Sequence, residues 1–162
     1  MKISTRARYG TRAMMDLALH RDQGAVMVKD IGKRQQISAR YLEQLLFSLK
    51  LAGMVTSSRG MGGGFTLAKP ASEIRLLDIV QALDGPIAPV RCVDEPGMFS
   101  RSDYCAVRDV WVQVKEAANK VLESITLEDL VKRQKSKETG TAGKGRLEVS
   151  SIKSGRGDER DA

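Results

Sequence analysis

The chain has 162 residues, 41% of them hydrophobic and 4% aromatic, with a formal net charge of +7. That length holds one ordinary domain with appendages, and no apolar run reaches the roughly 18 residues that a membrane span needs, so no membrane partner is expected. Residues 1–70 carry twelve Lys and Arg against four Asp and Glu, whereas residues 71–162 carry fifteen against sixteen; the N-terminal part alone is equipped for a polyanion, or is simply a solvated basic surface.

The start, MKISTRARYGTRAMMDLALH, is basic and amphipathic but lacks the continuous apolar core of an export signal. A cytoplasmic location is expected, where two cysteines do not ordinarily form a structural disulfide. Ser4 or Thr5 caps a first helix whose Ala7, Ala13, Met14, Leu17 and Ala18 recur at helical spacing, with Gly24 just past its end. A second helix covers Val28–Gln35 with Ile31 inward. Gln36-Ile37-Ser38 makes a tight connection, and Ser38 caps a third helix with Leu42, Leu45, Leu46 and Leu49 on one face.

After Gly53 the period changes to two. Val55–Arg59 and Phe65–Ala68 read as strands around Gly60-Met61-Gly62-Gly63-Gly64. Pro70 closes this unit, and Leu76–Leu83 forms another short helix. Residues 86–103 have little periodicity and read as an irregular loop. From about Tyr104 a long helix carries Val107, Val110, Trp111, Val114, Ala118, Val121, Leu122 and Ile125 as an apolar stripe. Thr126 caps a last short helix, Leu127–Lys132, with Glu128 and Asp129 in its first turn.

The expected fold is mainly α: a winged helix-turn-helix with a two-stranded wing plus a long C-terminal dimerisation helix. Its parts are a DNA-binding domain over 1–85 (helix-turn-helix about 28–51, wing about 54–69), a sensing loop over 86–103 and dimerisation helices over 104–134. A polar tail over 135–162 is expected to be disordered. The stripe of Val107, Val110, Trp111, Val114, Val121 and Leu122 is wider than a small winged domain covers, so a homodimer interface is expected there.

In a helix-turn-helix the second helix enters the major groove. With the four leucines inward, Arg40, Tyr41, Glu43, Gln44 and Lys50 face outward. Arg suits guanine, Gln suits adenine, and Glu accepts from the cytosine amino group; the plainer alternative for Glu43 is a surface residue that stabilises the helix. The glycine turn is not a P-loop, because no Gly-Lys-Ser/Thr follows and a strand comes next. Gly60 and Gly62 permit a sharp hairpin close to a phosphate backbone, with Arg59 at its edge as a cation for the minor groove; a flexible hairpin without contacts is the alternative.

The stretches KISTRARYGTRAMMDLAL, ISARYLEQLL, SSRGMGGGFTLAKP, LLDIVQALDG and ITLEDLV, dispersed over residues 2 to about 133, resemble the IscR/NsrR/CymR-type winged-helix regulators, the Rrf-type family. The resemblance implies a cytoplasmic homodimer that binds double-stranded DNA at a pseudo-palindromic operator as a repressor. It also implies base contacts from Glu43 and Gln44 and a minor-groove contact from Arg59. Members often carry a 2Fe–2S cluster, held by three cysteines between the short helix and the long one.

Here only Cys92 and Cys105 stand in that region. Phe99 occupies the expected place of the middle cysteine, and Arg108 the place of a histidine ligand. Where the nitric-oxide-sensing branch uses a carboxylate, Arg8 stands, and His20 is not read as a ligand. Three readings stay open: a cluster completed by Asp, Glu or Ser of the loop, a reversible dithiol switch, or inert thiols. An enzyme is not expected, since no nucleophile–base pair or Walker motif occurs. The remaining alternative is a cluster-free winged-helix module for protein or RNA.

Overall fold

The structure, a computed structural model, describes residues 3–60, 62–95, 97, 100 and 102–151. Helix α1 (Thr5–Leu19) begins at Ser4, whose Oγ accepts the Ala7 N–H at 3.1 Å. The same hydroxyl donates to the carboxylate of Asp84, tying the start of α1 to the end of α4 (Leu76–Asp84). Helices α2 (Val28–Gln35) and α3 (Ala39–Leu51) follow, with Gln36 in a left-handed conformation at the turn (φ 55°) and Ser38 capping α3. These bounds match the sequence expectation because capping side chains and the leucine spacing act locally.

Strands β1 (Val55–Ser58) and β2 (Gly64–Leu67) pair antiparallel, Val55 opposite Leu67 and Ser58 opposite Gly64. Val26, just before α2, exchanges two backbone hydrogen bonds of 2.9 Å with Phe65. The wing is therefore anchored on the entrance to the helix-turn-helix. A Cβ at position 64 would lie 2.4 Å from the Val26 carbonyl oxygen, so this approach requires glycine.

One core gathers Ala13, Met14, Leu17, Ile31, the four leucines of α3, Val55 and Ile79. It also contains the fully buried Leu127 of α7 (Leu127–Ser151). Leu127 N–H donates to the Ile74 carbonyl at 2.9 Å and Leu76 N–H to the Ile125 carbonyl at 2.9 Å. The chain thus leaves the winged domain along α6 (Ala106–Glu123) and returns to it. The last helix shares the core of the first three, although the sequence had grouped it with the dimerisation segment.

Two expectations are corrected. The loop over 86–103 contains a one-turn helix, α5 (Arg91–Asp94), and a 3-10 turn at Ser102–Tyr104. The last helix does not stop near Lys132, and residues 135–151 continue it rather than forming a disordered tail. No proline interrupts it, and Lys132–Glu128 (3.1 Å) and Gln134–Glu138 (2.8 Å) pair across single turns. Residues 152–162 and Phe99 lie outside the described residues.

Candidate nucleic-acid interface

The outward face of α3 is fixed by its inward one. Leu42, Leu45, Leu46 and Leu49 are 0% exposed, which leaves Arg40, Glu43 and Gln44 exposed on the opposite side. None of the three makes an ion pair among the described residues. At the wing tip, Gly60 and Gly62 have φ of 98° and 83°, a region that L-residues avoid, and the Gly63 N–H closes the turn on the Gly60 carbonyl at 2.9 Å. Arg59 stands exposed at this tip.

Two other residues read as DNA contacts have partners within the domain. Tyr41 is half-buried, its ring edge-on to Tyr9 with centroids 6.2 Å apart and planes at 84°. Tyr9 also lies under the guanidinium groups of Arg8 and Arg12, at 5.0 and 5.6 Å from its centroid. Lys50 Nζ donates to Ser57 Oγ at 2.6 Å, joining the end of α3 to β1. Both side chains therefore link α3 to its neighbours α1 and β1.

A buried ion pair that the sequence reading missed holds α2 against α1. Asp16 is 1% exposed. Its carboxylate accepts from Arg34 Nη2 at 2.6 Å, Arg34 Nε at 3.0 Å and Gln35 Nε2 at 2.9 Å. The bidentate bond to Asp16 raises the Arg34 pKa above its ordinary value. Arg12 in turn donates Nε–H to Gln35 Oε1 at 3.1 Å. The available signal was one carboxylate next to Met14, Leu17 and Ala18 in a helix whose other charged residues are all Arg, with an Arg followed by Gln at the end of the next helix.

Further along the chain, α5 rests on α6 through two cations. Arg108 Nε donates to the Cys92 carbonyl at 2.9 Å, and Lys115 Nζ meets the Asp94 carboxylate at 2.6 Å. Cys92 and Cys105 are both half-buried free thiols. Among the described residues, no group of three or more His, Cys, Asp or Glu side chains could hold a metal ion. Asp94, one of the loop carboxylates offered as a cluster ligand, is paired with Lys115. An iron–sulfur cluster needs four ligands, chiefly thiolates, and the described residues hold only two thiols, with no third ligand beside them.

The apolar stripe of α6 is open: Val107, Val110, Trp111, Val114 and Val121 are 37–61% exposed. Leu122, expected in the same interface, is half-buried and packs with Ala7, Val80 and Ile87 of its own chain. It lies on the side of α6 that faces α4. No helix among the described residues is long and apolar enough to cross a membrane.

Comparison with known proteins agrees with this architecture. The profile of the Rrf2 family, described as iron-dependent transcriptional regulators, matches residues 3–133. Protein rrf2 of Nitratidesulfovibrio vulgaris is 42% identical over 132 residues, covering 82% of this chain and 88% of its own. The HTH-type transcriptional regulator IscR of Photorhabdus laumondii is 40% identical, covering 83% and 81%. Among solved structures, CymR of B. subtilis, described as its global cysteine regulator, superimposes with a TM-score of 0.70 at 38% identity, covering 82% of this chain and 98% of that one. These relatives are transcriptional regulators and not enzymes, which also sets aside the protein- or RNA-module alternative. The chain belongs to the Rrf2 family of DNA-binding transcriptional regulators.

Proposed function

We propose that the protein works as a homodimeric repressor on a pseudo-palindromic operator, each subunit laying α3 in the major groove and its wing along the adjoining minor groove. The observation that carries this reading is the exposed surface of Arg40, Glu43, Gln44 and Arg59, held rigid from beneath by wholly buried leucines. It lies in the half of the chain that holds all the excess positive charge. Arg40 donates to guanine and Gln44 pairs with adenine, while Glu43 accepts from a cytosine amino group. Because a carboxylate is repelled by the phosphates, Glu43 adds selectivity rather than affinity. Arg59 suits a narrow minor groove, whose potential attracts a guanidinium group, and Gly60 and Gly62 admit the backbone close to phosphate.

The second subunit covers the α6 stripe of Val107, Val110, Trp111, Val114 and Val121. An apolar strip of this length is costly in water and marks an interface. Regulation is assigned to the α5–α6 corner, which carries Cys92 and Cys105 and leads into the dimer helix. It works there without a resident iron–sulfur cluster, since the ligand set is incomplete.

Duplex binding measured over a range of salt concentrations, with sedimentation of the same sample, tests this reading. A dimer with a steep salt slope is expected, because each phosphate contact releases a counterion. A monomer, or binding indifferent to salt, contradicts it. Protein purified without air should contain neither iron nor sulfide in stoichiometric amount.

A further inference from the structure

Phe47 is 59% exposed on α3. At about 100° per residue its side chain leaves the helix between those of Glu43 and Gln44, one turn on, nearly opposite the buried leucines. This large ring on the reading face, with Leu51 also exposed one turn on, is not explained by the core, from which it points away. Nor do the hydrogen-bonding roles given to its neighbours use it. Arg40 and Lys50 flank it on this exposed face, in the part of the chain where cations outnumber carboxylates twelve to four. Charge therefore selects a polyanion as the occupant of this surface, over an apolar peptide.

Within the major groove one base-pair edge is apolar, the C5-methyl of thymine. We infer that Phe47 is a specificity-determining residue that packs on a thymine methyl group, adjacent to the bases read by Glu43 and Gln44. The contact removes apolar surface of both groups from water and forms no hydrogen bond. It thus distinguishes thymine from cytosine or uracil by shape alone. The inference rests on α3 being the major-groove helix.

The test begins with a duplex selected by the wild-type protein from a randomised pool. Each thymidine in it is then replaced in turn by deoxyuridine, which deletes the methyl group and leaves every base-pairing atom in place. Wild-type protein should lose about fourfold in affinity at one thymine per half-site, the worth of one buried methyl. Phe47→Ala should bind the parent duplex more weakly and lose nothing further on that replacement. Because Phe47 is uncharged, the salt slope of Phe47→Ala should match wild type, which also verifies that the variant is folded. Wild-type binding insensitive to deoxyuridine at every position overturns the inference, as does an equal loss in both proteins. Failure to select any preferred duplex would instead defeat the assignment of α3 as the reading helix.

Discussion

The face of α3 and the face of α6 are both exposed, but they are supported in different ways. Every inward leucine of α3 is wholly buried, and the helix is tied to α1 and β1 through Tyr41–Tyr9 and Lys50–Ser57. Helix α6 has no buried residue at all, and its short neighbour α5 is held by Arg108 and Lys115. A polar surface on a filled core is finished as a monomer. An apolar surface on a thin support is finished only when something covers it. The first is suited to reading a fixed ligand geometry, the second to meeting another apolar surface.

That contrast can be broken most severely in the core. Leu45→Ala should destabilise the protein by about 3 kcal/mol, a transfer loss plus a cavity, seen as an earlier denaturant midpoint by circular dichroism. A loss below about 1 kcal/mol would mean α3 is not anchored as described. Arg34→Ala comes next, at about 2 kcal/mol. It strands the buried Asp16 carboxylate, but the full cost of a broken buried pair is reduced because Arg34 is one-third exposed and water can take its place. Equal stability of Arg34→Ala and wild type in urea would show the pair to be incidental.

Val114→Glu should leave subunit stability within about 0.5 kcal/mol, as surface changes do, yet yield monomers in sedimentation and weaken operator binding. An intact dimer would remove α6 from the interface. Smaller still is the effect of Arg59→Ala, which should reduce the salt slope by about one unit; an unchanged slope would take the wing off the DNA.

The smallest effect belongs to acid. Asp129 accepts the Thr126 backbone N–H at 2.9 Å and the Thr126 hydroxyl at 2.8 Å, and chiefly the backbone bond lowers its pKa. A lowered folded pKa means that this cap contributes above the ordinary Asp value near 3.9 and is lost as pH falls through the folded one. The start of α7 should fray only in that acid range, as loss of amide protection near Leu127. Fraying at neutral pH would contradict the capping role.

Much of the winged domain was legible because its signals are local. Ser38, the leucine spacing and the glycine turn each act within a few residues, and all lie where the periodicity placed them. What could not be read depends on partners far along the chain. Asp16 meets Arg34 across 18 positions, Arg108 meets Cys92 across 16, and Leu127 enters a core begun at Ala13. Leu122 shows the same limit, since periodicity put it on an apolar stripe without telling which side faces its own subunit. The helix past Gln134 was missed for another reason: its composition is polar enough for disorder, and the pairing of Glu128 and Glu138 with neighbours one turn away left no apolar signature.

The central claim, that the exposed face of α3 reads bases, is tested most directly by selecting binding sites from a random duplex pool with wild type and Glu43→Ala. Wild type should return a pseudo-palindrome. Glu43→Ala should return the same site with preference relaxed at one position per half-site, while its non-specific binding is equal or stronger because a negative charge is gone. An identical consensus from both proteins would contradict the account.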